Sequence, residues 1–186
     1  MKYTLDRERV ESLLSGLEKK YPKFKIGFRG DDLHEWWHFF PVYFLALLTK
    51  VSSSYGRYTI QVGYSVYFPE SHKTDDIIEF LRNISWFYTL KHEVKHIEQM
   101  ERERHMYVFW LKYLLFPLPI LWTFRFDYEL EAYGMQMLRD KELYGYVREE
   151  TVDFIVKQLT TYRYFFASVG TRSKIEDRAR YVSRYL

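Results

Sequence analysis

The chain of 186 residues contains no cysteine. That excludes a disulfide framework, a thiolate metal site and a cysteine nucleophile. Any transition-metal site must be built from histidine and carboxylate. Proline and glycine are scarce, at five and eight residues, and no linker, repeat or low-complexity tract interrupts the chain. There is little net charge, formally +3, too mild to argue for nucleic acid as a partner. The N-terminal stretch MKYTLDRERVESLL is charged and amphipathic and lacks an apolar h-region, so no signal peptide is expected.

What is present is an ordinary globular balance, 47% hydrophobic and 28% charged, enough for a real core in one domain. Aromatics reach 20%, with 18 Tyr and 15 Phe. Tyrosine lines wet clefts and interfaces as well as cores. The basic C-terminal stretch, Arg172, Lys174, Arg178, Arg180 and Arg184, is partly balanced by Glu176 and Asp177 and reads as a solvated helix face. Residues 107–124, YVFWLKYLLFPLPILWTF, approach the length of a membrane span. Lys112 interrupts the run, and Pro117 and Pro119 break any single helix there. A buried helical hairpin or a membrane-dipping loop fits it better than a clean span. The chain is therefore expected to be cytoplasmic or membrane-associated, with a peripheral membrane contact through 107–124.

Hydrophobic periodicity outlines the elements. Val10, Leu13, Leu14 and Leu17 fall at helical spacing within 6–20. Phe24, Ile26 and Phe28 alternate with Lys25 and Gly27 as in a short strand. Ile60, Val62, Tyr64 and Val66 alternate within 57–68, the clearest strand. The turn residues before it suggest a hairpin with the apolar stretch 39–49. Residues 74–105 read as helix, interrupted near 83–85, with a further helix at about 127–139. Two or three helices follow, one marked by Val152, Ile155, Val156 and Leu159. The expected fold class is α+β and zincin-like: a small antiparallel sheet packed on one long helix, with additional C-terminal helices.

Two stretches carry H-E-x-x-H, a zinc-protease signature. His34, Glu35 and His38 lie in LHEWWHFF, and His92, Glu93 and His96 lie in LKHEVKHIEQ. On a helix, histidines at i and i+4 stack on one face and can share an ion. On a strand they would stand about 13 Å apart. His92 and His96 sit inside the sustained helical pattern. Pro41 ends any helix three residues after His38, so His34 and His38, beside Trp36 and Trp37, read as members of an aromatic cluster. A third ligand also favours the second motif. In RFDYELEAYGMQML, residues 125–138, Glu129 and Glu131 are both candidates. Glu129, Ala132, Tyr133 and Gln136 share one face, and small Ala132 lets that helix come close.

The sequence His92-Glu93-x-x-His96 followed by Glu129-x-Glu131-Ala132-Tyr133 resembles the gluzincin metallopeptidases. It is most similar to those whose second motif reads E-x-E-A-D, the CAAX-prenyl and heat-shock-type membrane zinc proteases. The resemblance covers residues 89–138, and the apolar insert between the motifs is similar to that group's membrane segments. It implies Zn2+ held by His92, His96 and Glu129, with Glu131 as the fallback ligand. Two positions depart from the group. Lys95 is charged where the motif is usually uncharged, and Tyr133 replaces an Asp that orients a ligand histidine.

The function implied is hydrolysis of a peptide bond in a peptide or protein substrate by a zinc-bound water, with Glu93 as general base. Tyr133, His105, His72 and Arg125 are candidate donors to the substrate carbonyl oxygen. A strand edge within 58–68 could hold an extended peptide. The alternatives are a non-catalytic, zinc-stabilised structural or interaction protein on a zincin scaffold, and a small membrane-associated protein whose motifs are incidental.

Overall fold

A computed structural model describes residues 3–28, 59–103, 108, 109, 112, 122–160 and 172–185. The LHEWWHFF motif, the partner stretch 39–49 and most of the apolar run 107–124 lie outside these residues. The chain divides into two compact units, Met1–Phe87 and Tyr88–Leu186.

In the first unit the 3.6-residue spacing folds as α1 (Arg7–Lys20), which buries Val10 and Leu17. Glu8 in its first turn and Lys19 and Lys20 in its last complement the helix dipole. The helix stops at Tyr21, whose N–H donates to the Leu17 carbonyl, because Pro22 disfavours helical backbone before it. The chain then enters β1 (Lys25–Phe28). The segment expected as one strand is a hairpin: β2 (Ile60–Val62) turns back at Gly63 into β3 (Ser65–Phe68). Gly63 has φ 59°, a left-handed conformation that glycine takes without strain.

The sheet has order β1-β3-β2. β1 runs parallel to β3, with Lys25 opposite Ser65 and Phe28 opposite Phe68, and β2 runs antiparallel to it. Phe68 meets Phe28 at 6.2 Å, Phe80 at 4.9 Å and Trp86 at 5.7 Å between ring centroids. This corrects the fold class expected from the sequence. The described residues are mostly helical, and the small sheet is mixed, not antiparallel. The cause is local: Gly63 splits the long strand in two, and β1 pairs with the second half in the parallel sense.

The interruption near 83–85 falls between α2 (Ile77–Leu81) and α3 (Ile84–Arg102). Asp76 caps α2 by accepting from the Glu79 N–H. Asn83 starts α3 in the same way, its Oδ1 accepting from the Ser85 N–H at 3.0 Å. Asn83 also forms an isolated bridge with Thr4, and the Leu5 N–H donates to the Arg82 carbonyl.

The second unit contains α3 from Tyr88 onward, α4 (Trp122–Tyr144), α5 (Glu149–Thr160) and α6 (Arg172–Tyr185). α4 is longer than its sequence signal, and it carries two buried stripes. Leu130, Tyr133 and Met137 pack with Val152, Ile155, Val156 and Leu159 of α5 and Ile175 and Ala179 of α6. The adjoining stripe of Glu129, Ala132 and Gln136 faces α3. The two helices run antiparallel: Tyr88 bonds Glu142, His92 meets Gln136 and Gln99 bonds the Tyr128 carbonyl. Beyond α4, Gly145 (φ 77°) ends the helix with its N–H on the Lys141 carbonyl. Fully buried Asp140 then anchors the next turn, accepting from the Arg148 N–H and guanidinium and the Thr151 hydroxyl. The basic C-terminal stretch is the outer face of α6, where Arg178 pairs with Asp127 and Arg180 with Glu149 and Glu176. Among the described residues no helix is long and apolar enough to cross a membrane.

Candidate metal centre

α3 is buried on most of its circumference. Ser85, Glu101 and Arg102 are exposed and Lys91, Lys95 and Glu98 half-buried; His92, Glu93, Val94, His96, Ile97 and Gln99 are buried. Burying two histidines and a glutamate in one helix is unfavourable unless polar partners meet them. Glu129 and Gln136 of α4 meet the histidines, and Gln99 of α3 itself meets His96. Small Ala132, on the same face of α4 as Glu129, is fully buried.

His92 and His96 stand one turn apart, their rings edge-to-face with centroids 5.0 Å from each other. Glu129, 2% exposed, places one oxygen, Oε2, 3.7 Å from His92 Nε2 and 3.8 Å from His96 Nε2. The donor atoms of the three residues all lie within 4.8 Å of one another. An ion with bonds of about 2.0–2.2 Å can bridge two donors up to about 4.2 Å apart. Both His–Glu pairs meet that requirement. Two imidazoles and one carboxylate are a donor set that could hold a divalent metal such as zinc or iron(II).

The outer ring nitrogens are engaged. His96 Nδ1 lies 2.7 Å from Gln99 Oε1, and His92 Nδ1 lies 3.4 Å from Gln136 Oε1. A carboxamide oxygen only accepts, so it favours the proton on Nδ1 and a lone pair on Nε2. Burial, and next the neighbouring His96, push the His92 pKa down to about 4, against the opposing pull of Glu129. His92 is therefore neutral at neutral pH, the form that ligates a metal.

Glu131 stands apart from this cluster. Its carboxylate accepts from Gln99 Nε2 at 3.0 Å and from Arg102, and it lies 3.4 Å from Lys95 Nζ. Burial works against its charge, but the Arg102 and Gln99 hydrogen bonds outweigh it and hold the carboxyl below its usual range. Lys95, the unusual charge within the motif, thus points away from the histidines toward Glu98 and Glu131. Tyr133 sets its ring edge-on to His92, with centroids 4.8 Å apart. Glu93 is buried. His72 lies in the first unit against Trp86 and Phe80. His105, His34 and His38 and the Arg125 side chain lie outside what is described.

Sequence reasoning placed Gln136 on the right face and passed over Gln99. The available signal for Gln99 was a glutamine three residues after His96 and seven after His92, on the face of α3 that carries both histidines.

Comparison with known proteins places the chain in no family: no family model, no curated protein and no solved structure matches it.

Proposed function

We propose that the chain is a zinc-dependent metallopeptidase of gluzincin type, similar to the CAAX-prenyl and heat-shock-type zinc proteases. The observation that carries this reading is the single Glu129 oxygen standing almost equally far from Nε2 of His92 and of His96. His92, His96 and Glu129 would hold the ion. Bound zinc would supply Lewis acidity and acidify water to near neutrality. Glu93, next to His92 on the helix, takes the proton of the attacking water and returns it to the leaving amine. Tyr133, whose ring meets His92, is the candidate donor to the substrate carbonyl oxygen, or steadies that ring. The substrate is a peptide or protein, met in the cytoplasm or at a membrane surface through residues 107–124.

One observation favours a second reading, a zinc-stabilised protein without catalysis: Tyr133 occupies the position where that protease group has Asp. Glu93→Gln separates the two. The peptidase reading expects purified wild type to hold close to one zinc per chain and to cleave members of a broad peptide library. It expects Glu93→Gln to keep the metal and lose cleavage. Wild type that holds zinc and cleaves nothing supports the second reading, and wild type that takes up no zinc ends both.

A further inference from the structure

We propose that Gln99 is a positioning residue for the metal centre, one carboxamide that orients His96 and places Glu129 together. The inference rests on the metal reading above. Gln99 is fully buried, three residues after His96 on α3. Its Oε1 lies 2.7 Å from His96 Nδ1. Its Nε2 donates to the backbone carbonyl of Tyr128 at 2.8 Å and to Glu131 Oε2 at 3.0 Å. Tyr128 is the residue immediately before Glu129.

The orientation of this amide is set by its surroundings. Two oxygen acceptors, a carbonyl and a carboxylate, occupy the Nε2 side, and both protons of the NH2 group are used on them. Turning the amide over would press its oxygen against those two oxygens. Oε1 therefore faces His96 and can only accept, so the His96 proton sits on Nδ1. The lone pair is left on Nε2, the nitrogen nearest Glu129. The same side chain holds the first turns of α4 through the Tyr128 carbonyl. One residue thus sets the tautomer of one ligand and the backbone position of another on a different helix.

No other side chain of this size meets both demands. Glutamate would direct a second oxygen at the Tyr128 carbonyl and at Glu131. Methionine would fill the volume and offer neither donor nor acceptor of comparable strength. Glu131 is the anchor behind the clasp, held in turn by Arg102 and Lys95. Groups that hold a ligating histidine typically change metal affinity by about 10–100-fold when removed.

The test is zinc affinity by chelator competition, on the full chain, for wild type, Gln99→Met, Gln99→Glu and Val156→Ala. Val156 is buried in the α4–α5–α6 core and serves as a control for simple loss of stability. All are measured where circular dichroism shows them folded. Both Gln99 variants are expected to bind zinc about 10–100-fold more weakly, and Val156→Ala to bind as wild type does. Gln99→Met with wild-type affinity overturns the clasp while leaving the metal reading intact. Wild type that takes up no metal overturns both. Should the Gln99 variants fail to fold, nitrogen NMR of cadmium-loaded wild type decides: a proton on His96 Nδ1 with metal coupling to Nε2 is expected, and metal coupling to Nδ1 overturns the proposal.

Discussion

One oxygen of Glu129 stands 3.8 Å from Nε2 of His96, across the gap between two antiparallel helices. With the proposed proton on His96 Nδ1, a lone pair faces a carboxylate in a buried site. Such a pair repels, and a cation between the two converts repulsion into coordination. The predictions below follow from that arrangement and from the packing that produces it.

Glu129→Gln should reduce zinc affinity by more than about 100-fold, beyond the usual range for residues outside the coordination shell. Glu131→Gln should reduce it far less, since its carboxylate is spent on Gln99, Arg102 and Lys95. Zinc content after dialysis checks both. Equal losses would mean that Glu131 also reaches the ion.

Metal binding should stabilise the fold through the α3–α4 contact. Zinc at about 100 times its Kd adds about 2.7 kcal/mol when only the folded state binds it. A chelator should then lower the melting temperature of wild type. His92→Ala should melt at the same temperature with and without zinc. A melting curve of wild type that ignores zinc would remove the ion from the folding equilibrium.

Asp140 should make the second unit sensitive to acid. Burial alone would raise its pKa, but hydrogen bonds from Thr151, Arg148 and Arg139 outweigh it and hold the carboxyl below its ordinary value. A carboxyl depressed in the folded state adds stability above its unfolded pKa of about 3.9, lost as pH falls through the lower folded value. Asp140→Asn should cost about 1.5–3 kcal/mol at pH 7 in urea unfolding, the range for hydrogen bonds to a charged group. The gap to wild type should shrink steadily as pH falls below about 4. A gap that stays constant into strong acid would show that the charge is not responsible.

Gly63→Ala should destabilise the β2–β3 hairpin by about 1–2 kcal/mol, because a side chain is strained at φ 59°. Gly63→Asn, which tolerates that region better, should cost less. Urea denaturation of the two variants orders them, and an alanine variant as stable as wild type would mean that the turn relaxes to another form.

Several features were legible without coordinates because they depend on neighbours in sequence. The 3.6-residue spacing of Val10, Leu13, Leu14 and Leu17 places α1, and Asn83 marks the start of α3 through a bond to a residue two positions on. His92 and His96 share a face by helix geometry alone. The sheet is hidden in the sequence because alternation continues straight through Gly63. Only the pairing partner shows whether a strand persists or turns, and a parallel neighbour from β1 leaves no mark on the strand it joins.

The sequence by itself determined that two histidines one turn apart would stand on a common face, and that carboxylates at 129 and 131 were available to them. It could not choose between the carboxylates, since residues two apart on a helix face different ways and either is sound locally. The choice came from how α4 lies against α3. That placement brings Glu129 to the histidines and turns Glu131 toward Lys95 and Arg102. Helix-to-helix placement depends on the volumes and hydrogen bonds of residues far apart in the chain, Gln99 with Tyr128 above all, and only the tertiary structure brings these together.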